Sequence, residues 1–179
     1  SSLIGKNENG ENYDKFKDRT IFPIHSYTGK VIGFGGRSFN PDAKSKYLNS
    51  GETLIYDKSK VLYALNLSKQ AISKADKCFI VEGYTDVISM HQNGVENVVS
   101  ASGTALGTKQ IQLIKRSTNN VTLLFDGDKA GVKATLRSID LCLKAEMNVK
   151  IVSFPDGEDP DSLAKKLSTE KFHDFLEDN

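Results

Sequence analysis

Four short strand-like segments, at residues 78–81, 95–99, 121–125 and 149–154, the first and third of them nearly unbroken apolar runs, alternate with helical stretches in the second half of this 179-residue chain. Such runs suit strands buried on both faces, and strands alternating with helices imply βαβ units and a parallel sheet. Ala64–Ala75, the stretch around Val87–Met90, Gly107–Lys115 with Thr108 as N-cap, Ala130–Leu143, Ser162–Leu167 and Lys171–Leu176 carry the helical spacing. The first half reads differently. Ile21, Phe22 and Ile24 are separated from Val31, Ile32 and Phe34 by Tyr27-Thr28-Gly29-Lys30, which predicts an antiparallel hairpin. Residues 1–19 read as a loose lead-in and 40–60 as polar loop. Gly33, Gly35 and Gly36 predict a bulge or the close approach of another backbone or a ligand. The expected fold is α/β: a mostly parallel sheet flanked by helices at 77–179, preceded by a smaller α+β part with antiparallel strands at 1–76.

The parallel sheet fixes where chemistry can sit, because ligands of open α/β sheets bind beyond the carboxyl ends of the strands. Acids collect there. The first strand runs into Glu82-Gly83-Tyr84-Thr85-Asp86, the third into Asp126-Gly127-Asp128 and the fourth into Asp156-Gly157-Glu158-Asp159-Pro160-Asp161. One acid at a strand end is common, and Asp-Gly turns and helix-start acids account for any single cluster. Three on one sheet edge repel one another, and a hard divalent cation with oxygen ligands removes the conflict. Two such ions would clamp the attacking and leaving oxygens of a phosphoryl displacement. Gly83 and Gly127 are expected to let the backbone turn sharply there. His25, His91 and His173 supply no triad.

Charge adds a second surface. The net charge of +1 argues by itself against a generic nucleic-acid binder, but it conceals 12 basic against 8 acidic residues at 1–76 and 12 against 15 at 77–179. Lys15, Lys17, Arg19, Arg37, Lys46 and Lys58 are the basic candidates for phosphate contacts, and Tyr47, between Lys46 and Asn49, for stacking on a base. Ser102-Gly103-Thr104 leads to a helix N-terminus that could hold a phosphate or simply connect strand to helix. Cys78 and Cys142 read as buried free thiols, and without a CxxC or Cys/His cluster no zinc is expected. No apolar run reaches a membrane span, no signal-peptide pattern opens the chain, and no GxxxxGK[ST] supports ATP hydrolysis. The start at Ser1 reads as an excised segment.

The acidic motifs resemble the Glu and Asp-x-Asp motifs of a TOPRIM domain. Their context, FIVEGYTDVIS, SASGTALGTKQIQLIKR, LLFDGDKAGVKA and FPDGEDPDSL, with FPI, VIGFGGR and KYLNSGET upstream, is similar to bacterial DnaG-type primases over roughly residues 13–170. That resemblance implies a cytoplasmic enzyme of the replication fork, a nucleotidyltransferase making short RNA primers from ribonucleoside triphosphates on single-stranded DNA with two or more Mg²⁺ or Mn²⁺ ions. Glu82, Asp126 and Asp128 would be catalytic. With Asp159 and Asp161 they would hold metal, and Asp86 would support them. Arg37, Lys46, Tyr47, Asn49 and Lys58 would line a nucleotide or template conduit, with Lys15, Lys17 and Arg19 in the same groove. Lys15 and Lys17 stand where the family often has arginine, which costs bidentate phosphate recognition. The implied partners are template, nucleotides, RNA primer and a replicative helicase met through a domain absent from this sequence, with the chain itself monomeric. A TOPRIM nuclease or topoisomerase-like enzyme is the alternative. A nucleic-acid-binding scaffold and a receiver domain explain the upstream strings less well.

Overall fold

The computed structural model describes residues 3–103, 105–125, 129–155 and 157–178, with 125 and 129–134 described by backbone alone. The chain divides into two compact units, Ser1–Lys58 and Ser59–Asn179. The divide suggested by charge, at 76, instead coincides with the end of the first α-helix. Counted by unit, the asymmetry shrinks to 9 basic against 7 acidic residues in the first and 15 against 16 in the second.

In the second unit the alternating pattern becomes β6 (Cys78–Val81), α2 (Tyr84–Gln92), β7 (Val98–Ser100), α3 (Thr108–Lys115), β8 (Asn120–Phe125), α4 (Lys129–Lys144), β9 (Asn148–Ser153), α5 (Pro160–Lys166) and α6 (Thr169–Asp178), after an opening helix α1 (Leu65–Ala75). The four strands form one parallel sheet in the order β7-β6-β8-β9. All four residues of β6 are buried, and strand alternation sends them to two cores. Phe79 and Val81 join Val87, Met90, Leu163, Phe172 and Leu176 on one face. Cys78 and Ile80 join Leu65, Ile72, Ile111, Ile114 and Cys142 on the other. Helices thus cover both faces, as unbroken apolar strands require. Both cysteines are free and buried. Burial pushes both thiols up, that of Cys142 to about 11.

Two local expectations are corrected here. Gly107, not Thr108, is the N-cap of α3. Its N–H donates to the Gln110 side chain at 2.9 Å, and Gln110, fully buried, donates in turn to the Val61 carbonyl at 2.8 Å. The second strand begins at Val98, three residues later than expected, because Val95 closes the end of α2 by donating to the Met90 carbonyl.

The first unit is built of antiparallel strands. The expected hairpin is β3 (Arg19–His25) with β4 (Val31–Ser38), turned by Ser26–Gly29. The lead-in is not loose: β1 (Ile4–Lys6) and β2 (Asn12–Asp14) pair across an Asn7-centred turn whose side-chain oxygen accepts from the backbone of Asn9 and Glu11. Its strands are too short and polar to show period-2 alternation. Nor is 40–60 all loop. β5 (Tyr47–Asn49) joins β4, and a short 3-10 helix follows at Lys58–Lys60. The register break in β3–β4 falls where Ile24↔Gly33 gives way to His25↔Val31, so it adjoins Gly33 as expected. Aromatic side chains make the close approaches: a Cβ on Gly36 would lie 2.5 Å from Phe16 Cδ1, and one on Gly33 would lie 3.1 Å from the Tyr56 ring. Among the described residues no helix is long and apolar enough to cross a membrane.

Candidate catalytic and nucleic-acid-binding residues

Glu82 leaves the carboxyl end of β6 exposed. Gly83 then opens α2 with φ −120° and ψ 172°, extended backbone open to any residue, so the expected sharp glycine turn is not what fixes this position. The cause is proximity. The Gly83 N–H donates to Asp86 Oδ2 at 2.8 Å, and a Cβ on residue 83 would sit 3.1 Å from that oxygen. Asp86, buried in the first turn, thereby satisfies one of the helix's unpaired amides and fixes the backbone next to Glu82.

At the far side of the sheet, Asp159 is the N-cap of α5. It accepts the Ser162 N–H at 2.6 Å, and the Ser162 hydroxyl accepts the Asp159 N–H at 2.9 Å. That hydroxyl donates to Glu158 Oε2 at 2.6 Å, and Lys166 also bonds Glu158. The Lys166 contact, then that of Ser162, holds the Glu158 carboxyl below the usual carboxylate range. Asp161 pairs with Lys165 at 2.7 Å and accepts from the Ser89 hydroxyl on α2. Sequence reading missed Ser89 and Ser162. Ser162 carried a signal, a hydroxyl three residues after a capping Asp. Ser89 carried none, because its partner lies 72 residues away.

Asp126 and Asp128 lie outside the described residues, as do Gly127, Thr104 and Asp156. In sequence the pair comes directly after β8, the strand between β6 and β9. The parallel register Ile80↔Leu123 brings position 82 level with 125, the residue before Asp126. Adjacent strands lie about 4.8 Å apart, so Glu82 and Phe125, the last described residue before Asp126, stand at the same edge of neighbouring strands. Among the described residues no group of three His, Cys, Asp or Glu could hold a metal ion. The side chains expected from the sequence as donors, Glu82, Asp126, Asp128, Asp159 and Asp161, are all carboxylates, which suit a hard divalent cation. Beyond β7, Ser102 and Gly103 both take positive φ, 46° and 83°, and the Ser102 hydroxyl bonds that of Ser100.

The basic candidates fall in the first unit and separate by face. Register pairs Arg37 with Tyr47 and Gly35 with Asn49, so Arg37, Tyr47 and Asn49 share one face of the β3-β4-β5 sheet. The Arg37 guanidinium lies 5.9 Å from the centre of the Tyr47 ring. Arg19, opposite Ser38, belongs to the other face. Its guanidinium donates to the carbonyls of Ser45 at 2.9 Å and of Gly36 and Lys46 at 3.3 Å, bracing the segment that leads into β5. Lys46 and Lys17 are exposed, and Lys58 is half-buried. Lys15 lines a groove of about 690 Å³ with Leu3, Val31, Phe34, Leu54 and Ile55.

A parallel sheet covered by helices on both faces, with acids following neighbouring strands in the sequence, is the arrangement of a Toprim-like domain, and the Toprim-like family model matches residues 79–164. The model for the N-terminal domain of the DNA primase catalytic core matches residues 1–69. The DNA primase of Clostridium acetobutylicum is 47% identical over 165 residues, which cover 92% of this chain and 27% of that protein. The Aquifex aeolicus primase structure, comprising zinc-binding and RNA polymerase domains, is 35% identical with a TM-score of 0.92 over 98% of this chain and 44% of that one. A DnaG primase catalytic domain bound to single-stranded DNA is 38% identical with a TM-score of 0.89, covering 98% and 57%. The chain belongs to the DnaG-type primase family and corresponds to part of its catalytic core. It spans little more than a quarter of the length of the curated relative.

Proposed function

We propose that this chain is the metal-binding and template-binding portion of a primase that synthesises short RNA primers from ribonucleoside triphosphates on single-stranded DNA. The observation that carries the proposal is that Glu82 and the Asp126-x-Asp128 pair follow adjacent parallel strands, β6 and β8, at one sheet edge. Glu82, Asp126 and Asp128 would hold Mg²⁺ or Mn²⁺, with Asp159 and Asp161 contributing from the β9–α5 side. The bound cations would neutralise charge on the triphosphate and lower the cost of attack by a primer 3′-hydroxyl on its α-phosphate. Asp86 fixes the backbone beside Glu82 through the Gly83 N–H, and Ser162 and Ser89 hold Asp159 and Asp161. No protein nucleophile is required, because this chemistry rests on positioning and charge.

The antiparallel sheet of the first unit would take the nucleic acid. Arg37 and Lys46 supply phosphate contacts, Tyr47 and Asn49 present a ring and an amide beside them, and Lys15, Lys17 and Lys58 add positive charge. Arg19 acts by holding the 45–46 carbonyls. A relative of the same fold bound to single-stranded DNA supports this assignment. Cytoplasmic action at a replication fork, and contact with a replicative helicase, belong to the same proposal. The test is incorporation of labelled ribonucleotides on a single-stranded template by the full gene product, with and without divalent cation. Cation-dependent incorporation supports the proposal. DNA cleavage without incorporation would replace it with a nuclease.

A further inference from the structure

Phe39 is an apolar ring held out in water beside a basic stretch of the first unit. It is 71% exposed, one residue past the end of β4. A lone exposed apolar residue is ordinary. This one differs in how firmly its backbone is held and in what surrounds it. Its N–H donates to the Asp18 carbonyl at 3.1 Å, which continues the β3–β4 ladder one step beyond Arg19↔Ser38. The turn that follows is closed by Asn40 N–H to Ser38 Oγ at 3.1 Å, Asp42 N–H to Asn40 Oδ1 at 2.9 Å and Ala43 N–H to the Asn40 carbonyl at 3.3 Å. Two residues beyond Arg37 on a continuing ladder, position 39 belongs to the face that carries Arg37, Tyr47 and Asn49. Between residues 37 and 47 the charges are Arg37, Lys44 and Lys46 against Asp42, which favours an anionic partner.

We infer that Phe39 is a stacking platform for a base of the single-stranded DNA template, placed at the rim of the Arg37–Tyr47 face. The inference deepens the nucleic-acid role proposed for that face and rests on it. Single-strand sites combine positive charge that follows the phosphates with rings that take the bases, and stacking is tolerant of sequence because every base presents a π-face. Phe39 supplies such a ring at a fixed position. Its loss removes contact with bases but not with phosphates.

The chain contains no tryptophan, so Phe39→Trp introduces a single fluorescent reporter. The experiment titrates the 179-residue chain, Phe39→Ala and Phe39→Trp with oligothymidylate and with an abasic oligomer of equal length, at one fixed low salt concentration. The expected result is that Phe39→Ala binds oligothymidylate about 5- to 10-fold more weakly and the abasic oligomer as the unaltered chain does. Phe39→Trp keeps the affinity, and its emission is quenched by oligothymidylate but not by the abasic oligomer. Equal affinity of Phe39→Ala and the unaltered chain for oligothymidylate, or an equal loss for both oligomers, would overturn the stacking role while leaving the nucleic-acid face standing. Failure of the unaltered chain to bind either oligomer would overturn both.

Discussion

The Ser89 hydroxyl donates to Asp161, and this bond ties α2, which begins at the acid-bearing end of β6, to α5, which begins beyond β9. The helices that follow two acidic clusters far apart in sequence are thereby tied together, and Asn93 at the end of α2 adds a bond to the Ala164 carbonyl of α5 at 3.1 Å. Lys165 engages the other oxygen of Asp161 at 2.7 Å. Ser89→Ala should therefore loosen Asp161 without unfolding the domain. Loss of a hydrogen bond to a charged group predicts about 1.5–3 kcal/mol of destabilisation. Urea unfolding checks this, and the Mg²⁺ concentration for half-maximal ribonucleotide incorporation should rise in the same variant.

Gly36 is required by Phe16. A methyl group at 36 would meet the Phe16 ring at 2.5 Å and the Arg19 side chain at 3.2 Å. Gly36→Ala should cost about 1–3 kcal/mol by overpacking. Truncating the ring in Gly36→Ala/Phe16→Leu should recover part of that loss, as a double-mutant cycle from thermal or urea unfolding would show.

Arg19 and Lys46 separate bracing from phosphate contact. Arg19→Lys keeps the charge and loses the fork that reaches three carbonyls. Single-strand affinity should fall roughly 2- to 12-fold, the worth of one ordinary hydrogen bond, with the salt dependence unchanged. Lys46→Ala should reduce the slope of log affinity against log salt by about 0.7, the value for one phosphate contact on a single strand. Filter binding or anisotropy across a salt series distinguishes the two.

His91 gives the domain a pH dependence. Its Nε2 lies 3.3 Å from the Ser68 hydroxyl, whose one proton goes to the Val98 carbonyl at 2.7 Å, so Nε2–H is the donor to Ser68. Burial lowers the His91 pKa, opposed by Glu96. A folded-state pKa below the unfolded one favours folding above the ordinary histidine value near 6.5, and that contribution is lost as pH falls through the lowered folded value. Between pH 7 and 5 the chain should lose stability, and His91→Gln should flatten this part of the curve.

Much of this was legible in the sequence where one physical pattern had a single solution. Cys78–Val81 is apolar at every position, and only a strand covered on both faces accommodates that. The three strands that precede the acids, β6, β8 and β9, were legible in the same way. Other features depended on partners far along the chain. The glycines of β4 pointed to close approach, but nothing local identified Phe16 and Tyr56 as what approaches. Arg19 reads as one more phosphate-seeking cation until its three carbonyl partners are seen. The β1–β2 hairpin was illegible because three-residue polar strands are set by the turn at Asn7, not by a buried face. Gly107 displaced Thr108 as the α3 cap because Gln110, four residues into a segment of ordinary helix formers, folds back onto its N–H.

Divalent-cation binding tests the central claim most directly, through Mn²⁺ titration of the 179-residue chain by electron paramagnetic resonance alongside Asp126→Asn, Asp128→Asn and Glu82→Gln. Saturable binding that weakens by about tenfold or more in each variant, with urea unfolding unchanged, is the predicted result. Binding that is equal in all four proteins would contradict it.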